Sequence, residues 1–296
     1  MAERFYHIGA AQHAAPALVP GLHITATPIG NLGDVTLRAL ATLAAADVVL
    51  CEDTRVSSRL MERYGIKASM KPYHEHNAEA VRPAIIAALQ AGGAYALISD
   101  AGVPLVSDPG YRLVRACVDE GITVDSIPGA SSTLTALTLS GLPSDVFTFI
   151  GFLPQKQKAR RDMLTRFKDL PSTLIAFESP HRVVAALADI TSVFATRNMA
   201  LCRELTKLHE EVLRGTAEDI RHILAGRETV KGEIVLVIAP PAGEPAVVSE
   251  NQIEVAITVA LQDNSSAKAA SIVSKEFGLA KDEIYARILR RKADGA

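Results

Sequence analysis

Short apolar stretches that end in Gly, Pro or Asp alternate with amphipathic stretches along the first half of this chain. The apolar stretches are "LHITATPIG", "DVVLCED", "AYALISD" and "ITVDSIPG". Helical periodicity lies between them, around Thr36–Ala45, Arg55–Tyr64, Ala78–Gln90 and Tyr111–Glu120. Strands that alternate with helices in this way are typical of βαβ units in a largely parallel sheet. The sequence therefore predicts an α/β fold.

A second series of strands and helices follows the turn-rich residues Leu142–Asp145. Its strands are predicted in "FTFIGFLP", "STLIAFES", "NMALCREL" and "GEIVLVIAP". The chain has 296 residues and is 48% hydrophobic, which suits two domains better than one. We expect an N-terminal extension at 1–20 with little regular structure, α/β domains at 21–143 and 144–240, and a linker with a small helical tail at 241–296. Two short helices joined at Gly278 are predicted in that tail.

Charge and cysteine content exclude several classes of protein. Lys and Arg total 31 against 33 Asp and Glu, so no global positive field attracts nucleic acid, and RNA would have to contact local patches. Cys51, Cys117 and Cys202 are far apart, which argues against a disulfide framework and a thiolate zinc site. The N-terminus lacks the order of a signal peptide, and no apolar run reaches membrane-spanning length. A cytoplasmic protein with no membrane partner is expected.

Four loops rich in Gly, Pro, Asp and Ser each follow a predicted strand. They are "TPIGN", "CEDTR", "SDAGVPLVSDPG" and "PGASS". Ligands of open α/β sheets bind beyond the carboxyl ends of the strands, so we expect these loops to form one pocket. None of them is a dinucleotide-binding or Walker motif. The last loop also opens a helix, so Ser131 or Ser132 is expected to cap that helix, to bind a ligand, or to do both.

These loops, together with "GFLP", "FESPHR" and "RELTKLHEE" in this order, resemble the tetrapyrrole methylase superfamily. The resemblance covers roughly Leu22 to Pro240. It implies two α/β domains with S-adenosylmethionine in the interdomain cleft, usually in a homodimer. Within the superfamily, the chain is most similar to enzymes that methylate the 2′-oxygen of a cytidine ribose in the decoding region of bacterial 16S rRNA. The resemblance therefore implies the small ribosomal subunit as partner.

The resemblance also implies which residues contact the cofactor. The matching side chains are Pro28, Asp100, Val103, Ser131, Ser132, Phe177 and Glu178. The backbone of Ala101 and Gly102 adds polar groups without side-chain obstruction. No metal is expected, because His74 and His76 in "YHEHN" lack a third ligand at suitable spacing. Arg55 and His76 are instead assigned to the acceptor side.

A general base would help a ribose hydroxyl to attack, and four candidates remain unranked. They are Asp53, Glu178, His181 and Glu204. For His181, the interpretation as a hydrogen-bonding residue at a helix start is favoured over the role of base. Glu204 and Lys207 form either a surface ion pair or part of the cleft.

The segment from Gln155 to Lys168 is basic, and we predict that it docks the RNA. Lys156, Lys158, Arg160 and Arg161 are its candidate phosphate ligands. The alternative interpretation is a solvated helix face. Two other functions remain open, a tetrapyrrole C-methyltransferase and a non-catalytic module that binds RNA or cofactor.

Overall fold

The computed structural model describes residues 4–105, 110–241, 250–277 and 279–294. Met1–Pro241 forms one compact unit and Ala242–Ala296 a second. Part of the third predicted loop (106–109), the linker residues 242–249 and Gly278 lie outside the described residues. The statements below concern the described residues.

The N-terminal extension contains a hairpin, contrary to the expectation of little regular structure. Strands β1 (Phe5–Ile8) and β2 (Ala11–Ala14) pair in antiparallel fashion. Tyr6 is buried in the core of the main unit and stacks on His13, with 5.3 Å between the ring centroids. Tyr6 is the one buried residue of these two described strands. The sequence therefore offered too weak an apolar pattern to predict the hairpin.

The first sheet is parallel, as the strand and helix alternation predicts. Its strands are β3 (Gly21–Thr25), β4 (Val48–Cys51), β5 (Met70–Pro72), β6 (Ala94–Leu97) and β7 (Val124–Ile127), in the order β5-β4-β6-β3-β7. The connections contain a 3-10 turn (Leu32–Asp34), α1 (Leu37–Ala45), α2 (Thr54–Arg63), α3 (Ala78–Gln90) and α4 (Tyr111–Asp119), and α5 (Ser132–Ser140) follows β7. All five strands therefore end at one edge, where the four loops lie.

The second sheet is mixed. Its strands are β8 (Phe147–Phe152), β9 (Thr173–Glu178), β10 (Asn198–Arg203), β11 (Glu211–Thr216) and β12 (Ile234–Ile238), in the order β11-β10-β12-β9-β8. Only β8 and β9 pair in parallel, and the other three pairs are antiparallel. Helices α6 (Gln157–Arg166), α7 (Val183–Phe194) and α8 (Ala217–Ala225) complete this half. The predicted boundary at 143/144 lies in the link between α5 and β8.

A shared core joins the two sheets. Ile29 and the α5 residues Ala136 and Leu137 pack in one cluster with Ile175 and Val235 from the second sheet. Each aliphatic side chain of this kind contributes about 1.5–3 kcal/mol when it is fully buried. This core fixes the carboxyl edge of the first sheet against the second sheet.

The second unit contains three helices, where two were predicted. They are α9 (Glu250–Asp263), α10 (Ser266–Phe277) and α11 (Lys281–Asp294), packed around Ile257, Val273 and Ile284. Helix α9 was missed because its first residues were interpreted as the end of the linker. Among the described residues, no helix is long and apolar enough to cross a membrane.

Candidate active site

The first and third strand-end loops are bonded to each other. The Thr27 amide donates to the Gly102 carbonyl at 2.9 Å, and the Gly102 amide donates back to Thr27 at 3.1 Å. The Thr27 hydroxyl also donates to the Ser99 carbonyl, at 3.1 Å. Gly102 has a φ of +81°, and a Cβ there would lie 3.2 Å from the Ile29 side chain. Glycine is needed at this position because both its backbone conformation and its surroundings oppose a side chain.

The second loop is tied to the third through Asp53 and Asp100. The Asp53 amide donates to the Asp100 carboxylate at 3.2 Å, while the Asp53 side chain caps α2 by accepting from the Arg55 amide at 2.8 Å. The Arg55 guanidinium also donates to Asp53, at 2.6 Å, and these bonds lower the pKa of Asp53 to about 2. A carboxylate with so low a pKa is a weak proton acceptor at neutral pH. Asp53 is therefore a poor general base, and Arg55 is engaged as its partner.

A cavity of about 410 Å³ opens beside these loops, and we call it the lysine cavity. Its described walls come from the first loop, α2, the third loop and two charged residues in the connections of the second sheet. The lining residues include Pro28, Ile29, Gly30, Ser57, Arg59, Asp100, Ala101, Lys207 and Glu233. Of the predicted site residues, the structure brings Pro28, Asp100 and Ala101 together here.

Lys207 lies in this cavity between two carboxylates. Its Nζ is 2.9 Å from Glu204 and 3.1 Å from Glu233. Burial acts to lower the pKa of Lys207, but the hydrogen bonds to both glutamates outweigh it and raise that pKa. The bond from Lys207 lowers the pKa of Glu204. Lys207 is thus a protonated cation. The pair of Glu204 and Lys207 is an ion pair, and its lysine also lines the cavity, so the two interpretations given from the sequence are both correct.

A second cavity, of about 380 Å³, adjoins the first, and we call it the phenylalanine cavity. Its described walls are mainly apolar, with Phe152, Phe177, Leu205 and Val235 among them, and they also include Ser132, Glu178 and Pro180. The Phe177 ring meets Phe149 and Phe152 edge to face, at centroid distances of 4.9 and 5.2 Å. Ile29, Ala101 and Glu233 line both cavities, so the two spaces share a wall.

Glu178 lines the phenylalanine cavity, and one oxygen of its buried carboxylate has no partner among the described residues. Its Oε1 accepts from the Ser179 amide at 2.6 Å and from the Arg182 guanidinium at 2.8 Å. Its Oε2 is buried and has no hydrogen-bond partner among the described residues. A buried acceptor without a donor is costly, so a ligand that donates a hydrogen bond here would be stabilised. The amino and hydroxyl groups of S-adenosylmethionine supply such donors.

Of the remaining predicted site residues, Ser132 is among the described residues that line a cavity, and Val103, Ser131, His181 and His76 are not. Ser131 caps α5 by accepting from the Leu134 amide, at 3.4 Å, while Ser132 lines the phenylalanine cavity. Val103 is half-buried beside Gly102, and His181 is exposed beside Pro180. His76 is exposed beyond the end of β5. No group of three or more His, Cys, Asp or Glu side chains that could hold a metal ion occurs in the described part of the chain.

The basic segment of α6 corrects one assignment. Arg160, predicted to bind phosphate, is only 3% exposed, and its guanidinium lies 2.5 Å from the fully buried Asp189. Arg161 binds the other oxygen of Asp189 at 2.6 Å and is half-exposed. Lys156 and Lys158 are exposed. The physical reason is that helix α6 turns Arg160 toward α7, where the carboxylate of Asp189 needs a counter-charge.

Lys207, Glu233 and Arg59 are residues of the cavities that the sequence did not assign to the site. Arg59 follows the "CEDTR" loop by one helical turn, so its place on α2 was an available signal. Glu233 precedes β12 and belongs to no sequence motif from which its place in the cavities could have been predicted. Lys207 was recognised only as a member of a pair with Glu204 that would form either a surface ion pair or part of the cleft.

Comparison with known proteins agrees with this architecture. Residues 21–221 match the family described as Tetrapyrrole (Corrin/Porphyrin) Methylases. A solved uroporphyrin-III-C-methyltransferase from Thermus thermophilus superposes with a TM-score of 0.53 at 22% identity, over 76% of this chain and 96% of that one. A solved cobalt precorrin-4 methyltransferase gives 0.56 at 18% identity, over 73% and 93%. These two likenesses concern the fold alone.

Relatives with higher identity carry a different description. The ribosomal RNA small subunit methyltransferase I of Mesorhizobium japonicum is 49% identical over 289 residues, which are 96% of this chain and 97% of that protein. The protein of the same description from Haemophilus influenzae is 42% identical over 89% of this chain and 94% of its own length. The chain belongs to the tetrapyrrole methylase family, in the branch of ribosomal RNA small subunit methyltransferase I. It is therefore a methyltransferase that uses S-adenosylmethionine, and the predicted fold class, enzyme class and cofactor are confirmed.

Proposed function

We propose that the protein transfers the methyl group of S-adenosylmethionine to the 2′-oxygen of a cytidine ribose in the decoding region of 16S rRNA. Methylation of small-subunit rRNA is supported by the relatives described above, which this chain matches over most of its length. The cytidine and its 2′-oxygen come from the resemblance in the sequence motifs. A cytoplasmic location, where ribosomes are assembled in bacteria, is part of this proposal.

The shared wall of the two cavities is the observation that carries the proposal. Methyl transfer needs a donor and an acceptor in line, with the reacting atoms at one contact point. The phenylalanine cavity suits the cofactor, because it is mainly apolar and is lined by Glu178, whose buried Oε2 has no partner among the described residues. The lysine cavity suits the polar acceptor, because the cations Arg59 and Lys207 line it, while Asp100 on its wall stays assigned to the cofactor, as the resemblance implies. Ala101 and Ile29, at the shared wall, would then lie beside the transferred methyl.

This division reassigns three of the four candidate bases, and His181, which is exposed beside Pro180, stays a candidate. Glu178 is better suited to hold the cofactor, since it faces the apolar cavity with one oxygen bound to Arg182. Asp53 is bound by Arg55, and Glu204 is bound by Lys207. S-adenosylmethionine supplies the activated methyl group when it is bound. The residues of the chain position the two reactants and exclude water from the contact point.

The RNA-docking surface is proposed on the exposed part of α6 and the residues before it. Phe152, at the end of β8, lines the phenylalanine cavity, and Lys156 and Lys158 follow it within six residues. These two lysines are therefore close in sequence to a residue of the cleft, and they are exposed to solvent. A homodimer remains a proposal that rests on the family resemblance.

Transfer of labelled methyl groups tests the proposal. Assembled small subunits, naked 16S rRNA and a porphyrinogen are each offered with labelled S-adenosylmethionine. We expect label in the assembled subunit, less in naked RNA, and none in the porphyrinogen. Label in the porphyrinogen would favour the tetrapyrrole C-methyltransferase, and cofactor binding without label in any acceptor would favour a non-catalytic module.

A further inference from the structure

Lys207 lines the lysine cavity beside the wall residue Glu233, which both cavities share. The described cationic side chains that line the lysine cavity are Arg59 and Lys207. Lys207 is bonded to Glu233, and Glu233 lines both cavities. The Lys207 ammonium is therefore bonded directly to a residue of the wall that the two cavities share, and the methyl group would be transferred across this wall.

The surrounding backbone is shaped to place this lysine. A Cβ at Gly30 would come within 2.5 Å of the Lys207 Cγ, so the absence of a side chain at Gly30 makes room for the lysine stem. The Asn31 amide donates to the Thr206 hydroxyl at 3.1 Å, which ties the first loop to the residue before the lysine. Glu204 and Thr206 have φ values of +51° and +64°, which are unfavourable for residues other than glycine. Such strain tends to persist where function requires a fixed geometry.

The hydrogen bonds of Lys207 leave it one donor for a ligand. An ammonium group has three N–H bonds, and two of them go to Glu204 and Glu233. Because both carboxylates raise the pKa of Lys207, the side chain is a proton donor in a hydrogen bond and not a base. A cation in this position stabilises negative charge that develops on an oxygen nearby.

We propose that Lys207 is a catalytic residue whose ammonium donates a hydrogen bond to the 2′-oxygen of the acceptor ribose. As the bond from this oxygen to the methyl carbon forms, the carbon–sulfur bond breaks and its electron pair stays on sulfur. The hydroxyl proton has by then passed to a water molecule on the solvent side of the lysine cavity, away from the contact point, so that the 2′-oxygen carries negative charge before it meets the methyl carbon. Lys207 stabilises the partial negative charge on the oxygen, while Glu204 and Glu233 act as positioning residues that keep the ammonium in place. This inference rests on the proposed 2′-O-methylation.

Substitution of Lys207 tests the inference in the full-length protein. Lys207→Met keeps much of the stem volume without charge, and Lys207→Arg keeps the charge. Lys67→Met is the control, because Lys67 is exposed and is not among the described residues that line either cavity. We expect Lys207→Met to lower kcat by about 100- to 1,000-fold, as for other lost oxyanion donors, with unchanged KM for the subunit and unchanged cofactor Kd. Lys207→Arg should retain part of kcat.

Chemical rescue separates catalysis from a structural role. Lys207→Ala should regain part of its activity when methylammonium is added, in proportion to the amine concentration, with no change in melting temperature. A wild-type kcat for Lys207→Met would overturn the inference. A loss of activity that is explained by weaker cofactor binding, and that added methylammonium does not restore, would also overturn the inference. The proposed function fails separately, if the wild-type product carries no 2′-O-methyl group.

Discussion

Because Asp189 forms a buried ion pair with Arg160, we expect substitution of Asp189 to lower the stability of the protein. Asp189 is fully buried and accepts from Arg160 at 2.5 Å, from Arg161 at 2.6 Å and from Gln157 at 3.2 Å. Asp189→Asn would leave the Arg160 guanidinium buried without its counter-charge. Removal of one partner from a buried pair costs about 3–5 kcal/mol. We expect a loss of that size in the free energy of unfolding, measured in urea at pH 7.

The pH dependence has a definite sign. Burial acts to raise the pKa of Asp189, but the hydrogen bonds from Arg161, Arg160 and Gln157 outweigh it and lower that pKa. The contribution of Asp189 to stability is therefore complete above the pKa of an unfolded aspartate, about 4, and it is lost as the pH falls through the lower folded value. The difference in unfolding free energy between wild type and Asp189→Asn should accordingly shrink in acid.

Two further variants make this prediction refutable. The control Asp162→Asn removes an exposed acid from α6, the helix of Arg160, and should change stability by less than about 0.5 kcal/mol. The double variant Arg160→Met with Asp189→Leu should recover most of the loss, since an apolar pair can replace a buried ion pair. Wild-type stability of Asp189→Asn at pH 7 would refute the reasoning. So would an Arg160→Met variant that keeps its stability and needs more rRNA for turnover.

Three other outcomes are expected. Lys156→Glu combined with Lys158→Glu should raise the rRNA concentration needed for half-maximal turnover and reduce the salt slope by about one unit per lost phosphate contact; an unchanged slope would place the RNA elsewhere. Asp100→Ala and Val103→Asp should each weaken S-adenosylmethionine binding in calorimetric titration. Unchanged affinity in both variants would contradict the proposed cofactor contacts. Light scattering should give about twice the chain mass of 31.5 kDa, and a monomer mass at all working concentrations would contradict the proposed homodimer.

The sequence predicted the features that depend on local chemistry. Strands that end in Gly, Pro or Asp revealed the parallel sheet and its four loops, because these residues stop strands wherever they occur. The hairpin at β1 and β2 and the helix α9 were missed, since the first depends on one buried tyrosine and the second lies next to a Pro-rich stretch.

The remaining errors concern contacts between distant parts of the chain. Arg160 and Arg161 are neighbours in the sequence, yet only Arg160 is turned fully inward, toward a partner 29 residues away. The lone acid in the otherwise apolar helix "VVAALADITSVF" was a signal for such a partner. The position of Lys207 depends on Gly30, whose part of the chain approaches it only in the folded protein. The spacing of residues along the sequence could not have predicted this contact.

Mass analysis of the modified nucleoside tests the central claim most directly. Small subunits that lack the modification are incubated with the protein and labelled S-adenosylmethionine, and the 16S rRNA is then digested to nucleosides. We expect one labelled product, a cytidine with the added mass on the ribose. A label on the base of any nucleoside, or on a ribose other than that of cytidine, would contradict it.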